Sequence, residues 1–143
     1  MSKSNTCETD FLELIFNGTA WPDLAENDTT SPATNLYVSL HTADPGEAGT
    51  QSTNEATYGS YARVGVARNG TGWTVTGDTA TNAILVQFPS CTSGSNTITH
   101  FGIGTLSSGA GQLLFSGALS SSLAVSTGIQ PQAAPGDLDI VES

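Results

Sequence analysis

The side chains able to do chemistry are few: His41 and His100, Cys7 and Cys91, and thirteen acidic residues against three basic ones. A histidine acting as base, acid or metal ligand needs a partner within hydrogen-bond reach. The chain holds no His-x-x-x-His, no Glu-x-x-His and no adjacent cysteine and histidine. A serine nucleophile is often signalled by Gly-x-Ser-x-Gly, which is absent, and Gly104-Thr105-Leu106-Ser107-Ser108-Gly109 reads as a turn between strands. Gly102-x-Gly104 follows a strand but opens no helix, so a dinucleotide-binding reading fails on context. Asp44, Glu47 and Glu55 share one loop of the kind that can offer oxygen ligands to calcium, but without EF-hand spacing. Paired carboxylates for glycoside hydrolysis would have to come from outside residues 59–136, which hold only Asp78. The expectation is a protein with no catalytic, cofactor-binding or metal-binding residues, and hence not an enzyme.

Charge narrows the partners. A formal net charge of −10 and a pI near 4.1 disfavour binding to nucleic acid, which depends on Lys and Arg displacing counterions. The same balance disfavours an anionic membrane surface. No apolar run approaches the roughly 18 residues of a membrane span, and Met-Ser-Lys-Ser-Asn opens no secretory signal. The expectation is a soluble protein made in the cytoplasm. Cys7 and Cys91 lie far apart without metal-like spacing and read as two free thiols.

The elements that must position these groups follow from periodicity. Phe11, Leu12, Leu14, Ile15 and Phe16 group as on a helix, with Asn5 able to cap, Glu8 in the first turn and Gly18 as the stop. This predicts a helix over 6–17, too short to stand in water without a surface to pack on. Residues 18–34 read as an irregular arm pinned by Trp21 and Leu24. From residue 35 the period is two: Leu36, Val38 and Leu40 face one side, and Tyr37, Ser39 and His41 face a polar side. Further strands are predicted at 61–68, 72–76, 83–88, 97–104, 112–118, 122–126 and 137–141, with Asn69-Gly70 as a hairpin turn. The fold class is therefore mostly β: a single antiparallel β-sandwich or barrel of about eight short strands with one short N-terminal helix. The chain divides into an N-terminal helix and arm, 1–34, and a β domain, 35–143.

The order of motifs carries a resemblance. Phe11-Leu12-Glu13-Leu14-Ile15-Phe16-Asn17-Gly18-Thr19-Ala20-Trp21 is followed by Asn35-Leu36-Tyr37-Val38-Ser39-Leu40-His41-Thr42-Ala43-Asp44-Pro45-Gly46-Glu47. Asn54-Glu55, Tyr61-Ala62-Arg63-Val64, Thr99-His100-Phe101-Gly102-Ile103 and Leu113-Leu114-Phe115-Ser116-Gly117-Ala118-Leu119 complete the series. Across nearly its whole length the chain resembles small structural proteins of tailed-phage virions, either head decoration (cement) proteins or tail-fibre-like proteins. The resemblance implies a virion component made in the host cytoplasm, with the major capsid protein and further copies of itself, as a homotrimer, for partners. A body without cleft chemistry favours a cement role on the head exterior. The competing fibre or tail-tip role in host attachment leads one to expect more loop aromatics than Tyr58 and Tyr61. In either role the interface candidates are Phe11, Leu14, Ile15 and Trp21 as an adhesive segment, and Arg63 and Arg68 as partners for carboxylates across a subunit boundary.

Overall fold

The structure is a computed structural model that describes residues 5–21 and 32–142. The predicted Leu24 contact lies outside them. The described residues form helix α1 (Asn5–Leu12), continued by a π-helical turn (Glu13–Asn17), and nine strands. The strands are β1 (Asn35–His41), β2 (Val64–Ala67), β3 (Trp73–Thr76), β4 (Thr79–Asn82), β5 (Val86–Gln87), β6 (Ser95–Gly104), β7 (Leu113–Ser126), β8 (Gln132–Ala133) and β9 (Asp139–Val141). They make three antiparallel sheets ordered β2-β1-β6-β7, β3-β4-β9 and β5-β8, with no closed barrel. The mostly β reading with one short N-terminal helix holds. The barrel alternative does not.

Two compact bodies divide the chain. The first comprises Met1–Asn35, Val66–Leu85 and Ala133–Ser143. Here the predicted helix finds its surface: Leu12 and Phe16, one turn apart, are fully buried, and the Phe16 ring meets the buried Trp73 edge-on at 4.7 Å. Gly18 ends the helix in the left-handed region (φ 66°), where its N–H reaches back to the Glu13 carbonyl, as its place in the sequence predicts. The Thr9 hydroxyl donates to the Gly77 carbonyl at 2.7 Å, fastening α1 to the β3–β4 turn.

The hairpin in this body is not the predicted one. Asn69 does turn the chain, its carbonyl accepting from Gly72 N and Trp73 N at 3.0 Å. Yet β2 and β3 belong to different sheets. A Cβ at Gly72 would fall 2.1 Å from the Ala67 carbonyl oxygen, so the turn is tighter than any side chain permits and sends the chain away from β2. The true hairpin closes at Gly77-Asp78, with Thr76 facing Thr79 across a two-residue loop and Gly77 at φ 63°. Of the strand predicted at 83–88 only the two-residue β5 forms, because β4 stops before it at Asn82. Asn82 makes that stop: its Nδ2 donates to the carbonyls of Ile84 and Ala134, both at 2.8 Å, and its Oδ1 accepts from Leu138 N at 2.9 Å. A 1% exposed amide is thereby fully used.

The second body comprises Leu36–Gly65 and Val86–Gln132. β1 runs antiparallel to β6, from Tyr37 opposite Gly104 to His41 opposite His100. Both faces of β1 are buried, because Ser39 and His41 are as inaccessible as Val38. The strands predicted at 112–118 and 122–126 are two limbs of β7. Both pair with β6, but Ile98 faces Leu123 while His100 faces Ala118, so residues 119–122 are left out of the ladder as a bulge.

These packing assignments separate the helix residues. Phe16→Ala should lower unfolding free energy by about 3–5 kcal/mol, and Asn82→Asp, which points an acceptor at two carbonyls, by about 1–3 kcal/mol. Phe11→Ala, at a half-buried position, should cost less than half the Phe16 value. Urea unfolding of the three variants measures the order, and equal losses at 11 and 16 would refute it.

Candidate functional site

Residues 39 and 41 share a strand face, and that spacing brings Ser39 Oγ to 2.8 Å from His41 Nε2. The other ring nitrogen, Nδ1, lies 2.8 Å from the Thr53 carbonyl. A carbonyl only accepts, so Nδ1 carries the proton and Nε2 takes the serine's hydrogen. This gives His41 the partner that its sequence neighbours did not reveal, in the pairing that serine hydrolases use. Its setting is different: both side chains are 0% exposed, and a Cβ at Gly102 would sit 2.7 Å from His41 Nε2 and 2.8 Å from Ser39 Oγ. Gly102 thus leaves the room that the pair fills, and both side chains are closed off from solvent. Burial holds the His41 pKa below 6.5, against the opposing pull of the Thr53 bond and the Glu55 carboxylate and alongside the repulsion of Arg63 and His100.

Arg63 organises the segment beyond. Its Nε donates to Glu55 Oε1 at 2.6 Å and its Nη2 to Glu55 Oε2 at 2.7 Å, a two-pronged ion pair whose side chains are 2% and 17% exposed. The Tyr61 hydroxyl donates to the same Oε1 at 3.0 Å and accepts from Leu40 N at 3.0 Å. Burial and the neighbouring carboxylate raise the Tyr61 pKa well above its ordinary value. The remaining donors of Arg63 reach the 105–112 loop: Nη1 to the Leu106 carbonyl at 2.9 Å and Nη2 to the Gly109 carbonyl at 2.7 Å.

Two more side chains grip that loop. Ser52 Oγ donates to the Gly109 carbonyl at 2.8 Å. The fully buried Gln51 takes both backbone groups of Leu106, donating to its carbonyl at 3.2 Å and accepting from its N–H at 2.9 Å. Gly104 and Gly111 leave room for Gln51, since a Cβ at either would lie 2.2 Å or 2.1 Å from the amide. The result is a loop with a fixed backbone and an exposed tip, where Leu106 is 50% accessible and Ser107 and Ser108 are exposed. A hollow of about 240 Å³ runs beside it, lined by Glu55, Tyr61, Arg63, Ser107 and Ser108. A second, open groove of about 440 Å³ is lined by Asp44, Glu47, His100 and the first limb of β7.

The sequence candidates are divided between the two bodies. Arg63 belongs to the second body; Phe11, Leu14, Ile15, Trp21 and Arg68 belong to the first. Phe11, Leu14, Ile15 and Trp21 are half-buried. Arg68 caps the helix end: its Nε donates to the Ile15 carbonyl at 2.6 Å and its Nη2 to the Leu14 carbonyl. That satisfies orphan acceptors and sets a cation at the negative end of the helix dipole. Among the described residues no three His, Cys, Asp or Glu side chains converge as a metal cage requires. Of the loop acids, Glu55 is bound to Arg63 and Asp44 accepts from Gly46 N in its own turn at 2.9 Å. Neither thiol is in a disulfide, and Cys91 is buried. Gln51, Ser52 and Asn82 went unnoticed in the sequence because nothing about a lone amide or hydroxyl announces which backbone it will meet.

The clasp and the histidine each generate a test. Arg63→Met should destabilise by roughly 3–5 kcal/mol by stranding the Glu55 charge, and the Arg63→Met/Glu55→Met double variant should be more stable than either single one. Additive losses in chemical denaturation would contradict the assignment. A histidine whose folded pKa is depressed gives its full contribution above pH 6.5 and loses it as pH falls below that value. The thermal midpoint should therefore drop between pH 7.5 and 5.5, and His41→Leu, though less stable throughout, should flatten that slope. An unchanged slope would rule His41 out.

Residues 2–141 match the model of a protein family described as "Podophage GP4 fiber I protein gp80". No curated protein matches the chain.

Proposed function

The chain belongs to the podophage GP4 fiber I protein gp80 family and is a phage virion structural protein; from that premise we propose that it is a fibre subunit acting by adhesion in host attachment. The observation that carries the proposal is the match to a fibre family along residues 2–141. Sequence alone favoured the head exterior, with the major capsid protein as partner. The family description favours the fibre alternative.

The geometry supports adhesion over turnover. The one serine–histidine pair described above is sealed inside the sheet, whereas the 105–112 loop holds its backbone in place and its tip in solvent. Binding by a loop ordered beforehand avoids much of the entropic cost of fixing it on contact. The tip offers an apolar side chain, Leu106, between hydroxyls and backbone groups, which suits an uncharged, hydroxyl-rich host surface better than a phosphate-rich one. The acidic balance of the chain works in the same direction.

Gold-labelled antibody against this protein, applied to purified virions and viewed by electron microscopy, tests the proposal. Label on the tail region and none over the head is the expected result. Label spread over the head lattice would return the protein to capsid decoration and overturn the fibre reading.

A further inference from the structure

The sheet β2-β1-β6-β7 ends in two strands, β2 and β7. An edge strand presents a row of unpaired N–H and C=O groups, and proteins usually blunt it with brevity, lysine or proline. β2 is blunted: it has four residues, Val64–Ala67, and Arg63 and Arg68 flank it. β7 has 14 residues, Leu113–Ser126, with no charge and no proline, and among the described residues no strand pairs with its outer edge. The absence of charge extends further. Residues 79–136 contain no Asp, Glu, Lys or Arg, in a chain of net charge −10. Leu106 and Ile129, 50% and 40% exposed, lie in the turns on either side of β7 in sequence.

We propose that β7 pairs through its outer edge with β7 of a second copy of this chain, antiparallel about a two-fold axis at the 119–122 bulge. Charge selects the occupant. Two acidic copies repel over most of their surfaces, and they come together at least cost where neither carries charge. A basic partner, by contrast, would be drawn to the acids and gain nothing at a neutral edge. An antiparallel strand also complements itself, so one patch serves both copies. Charge sets the register as well. The first limb, 113–118, lines the groove that holds Asp44 and Glu47. An axis at the bulge places this limb against the uncharged 123–126 limb of the other copy, and keeps the two acidic grooves from facing each other. Ser120, exposed and outside the β6 ladder, then lies next to its own counterpart across the axis.

Sedimentation equilibrium of the full chain tests this independently of the fibre reading. The unaltered protein should be dimeric. Ser120→Asp and Ser120→Lys should each be monomeric with unchanged circular dichroism, and mixing the two should restore a dimer by pairing opposite charges. Restoration also shows that neither variant is merely misfolded. A monomeric unaltered protein, or an assembly of any size that both substitutions leave intact, would overturn the proposal.

Discussion

The second body depends on a charge taken out of water. The Arg63 guanidinium is almost wholly enclosed, and an ion in that position is tolerable only if its donors are matched. Glu55 supplies the counter-charge in two-pronged geometry. What remains of the fork must find acceptors, and it finds them in the Leu106 and Gly109 carbonyls. Desolvation of one side chain thus dictates where a loop more than forty residues away in sequence must lie. Gln51 and Ser52 complete the grip, and Gly104 and Gly111 are glycines because Gln51 occupies the space their side chains would take. The loop's rigidity is a consequence of that burial, not of its own sequence, which is rich in serine and glycine.

The first body works by a different principle. Its helix is too short to persist alone, and it is kept by the burial of Leu12 and Phe16 and by the contact of the Phe16 ring with Trp73. Polar groups then correct the ends: Arg68 takes the carbonyls at the helix terminus and Asn82 takes the groups that β4 leaves open before β9. In both bodies the apolar contacts give the energy of association, and a small number of fully satisfied polar side chains select the geometry.

Legibility in the sequence divides along the same line. Period-two alternation found β1, helical spacing with Gly18 found α1 and its stop, and the two limbs of β7 were each visible as strands. These are local signals, set by residues within a turn or two of one another. The failures are long-range. Asn69-Gly70 has the composition of a hairpin turn, but the close approach of Gly72 to Ala67 redirects the chain. Ser39 and His41 read as a polar face because Gly102, far along the chain, gives no sign that it will cover them. Arg63 was legible as a residue with a job, since the chain has few cations, but not as an internal clasp: its carboxylate partner is eight residues away in a loop whose fold no periodicity describes.

A virion part of the fibre family needs a surface that keeps its shape before it meets anything, and the Arg63 clasp gives the 105–112 loop that property. The most direct measurement is competition for adsorption: host cells are incubated with the purified protein before phage is added, and free phage is counted. Adhesion through this protein predicts that the unaltered chain slows adsorption and that a chain carrying Arg63→Met, its loop released, does so far less. Adsorption unaffected by saturating unaltered protein would contradict the account.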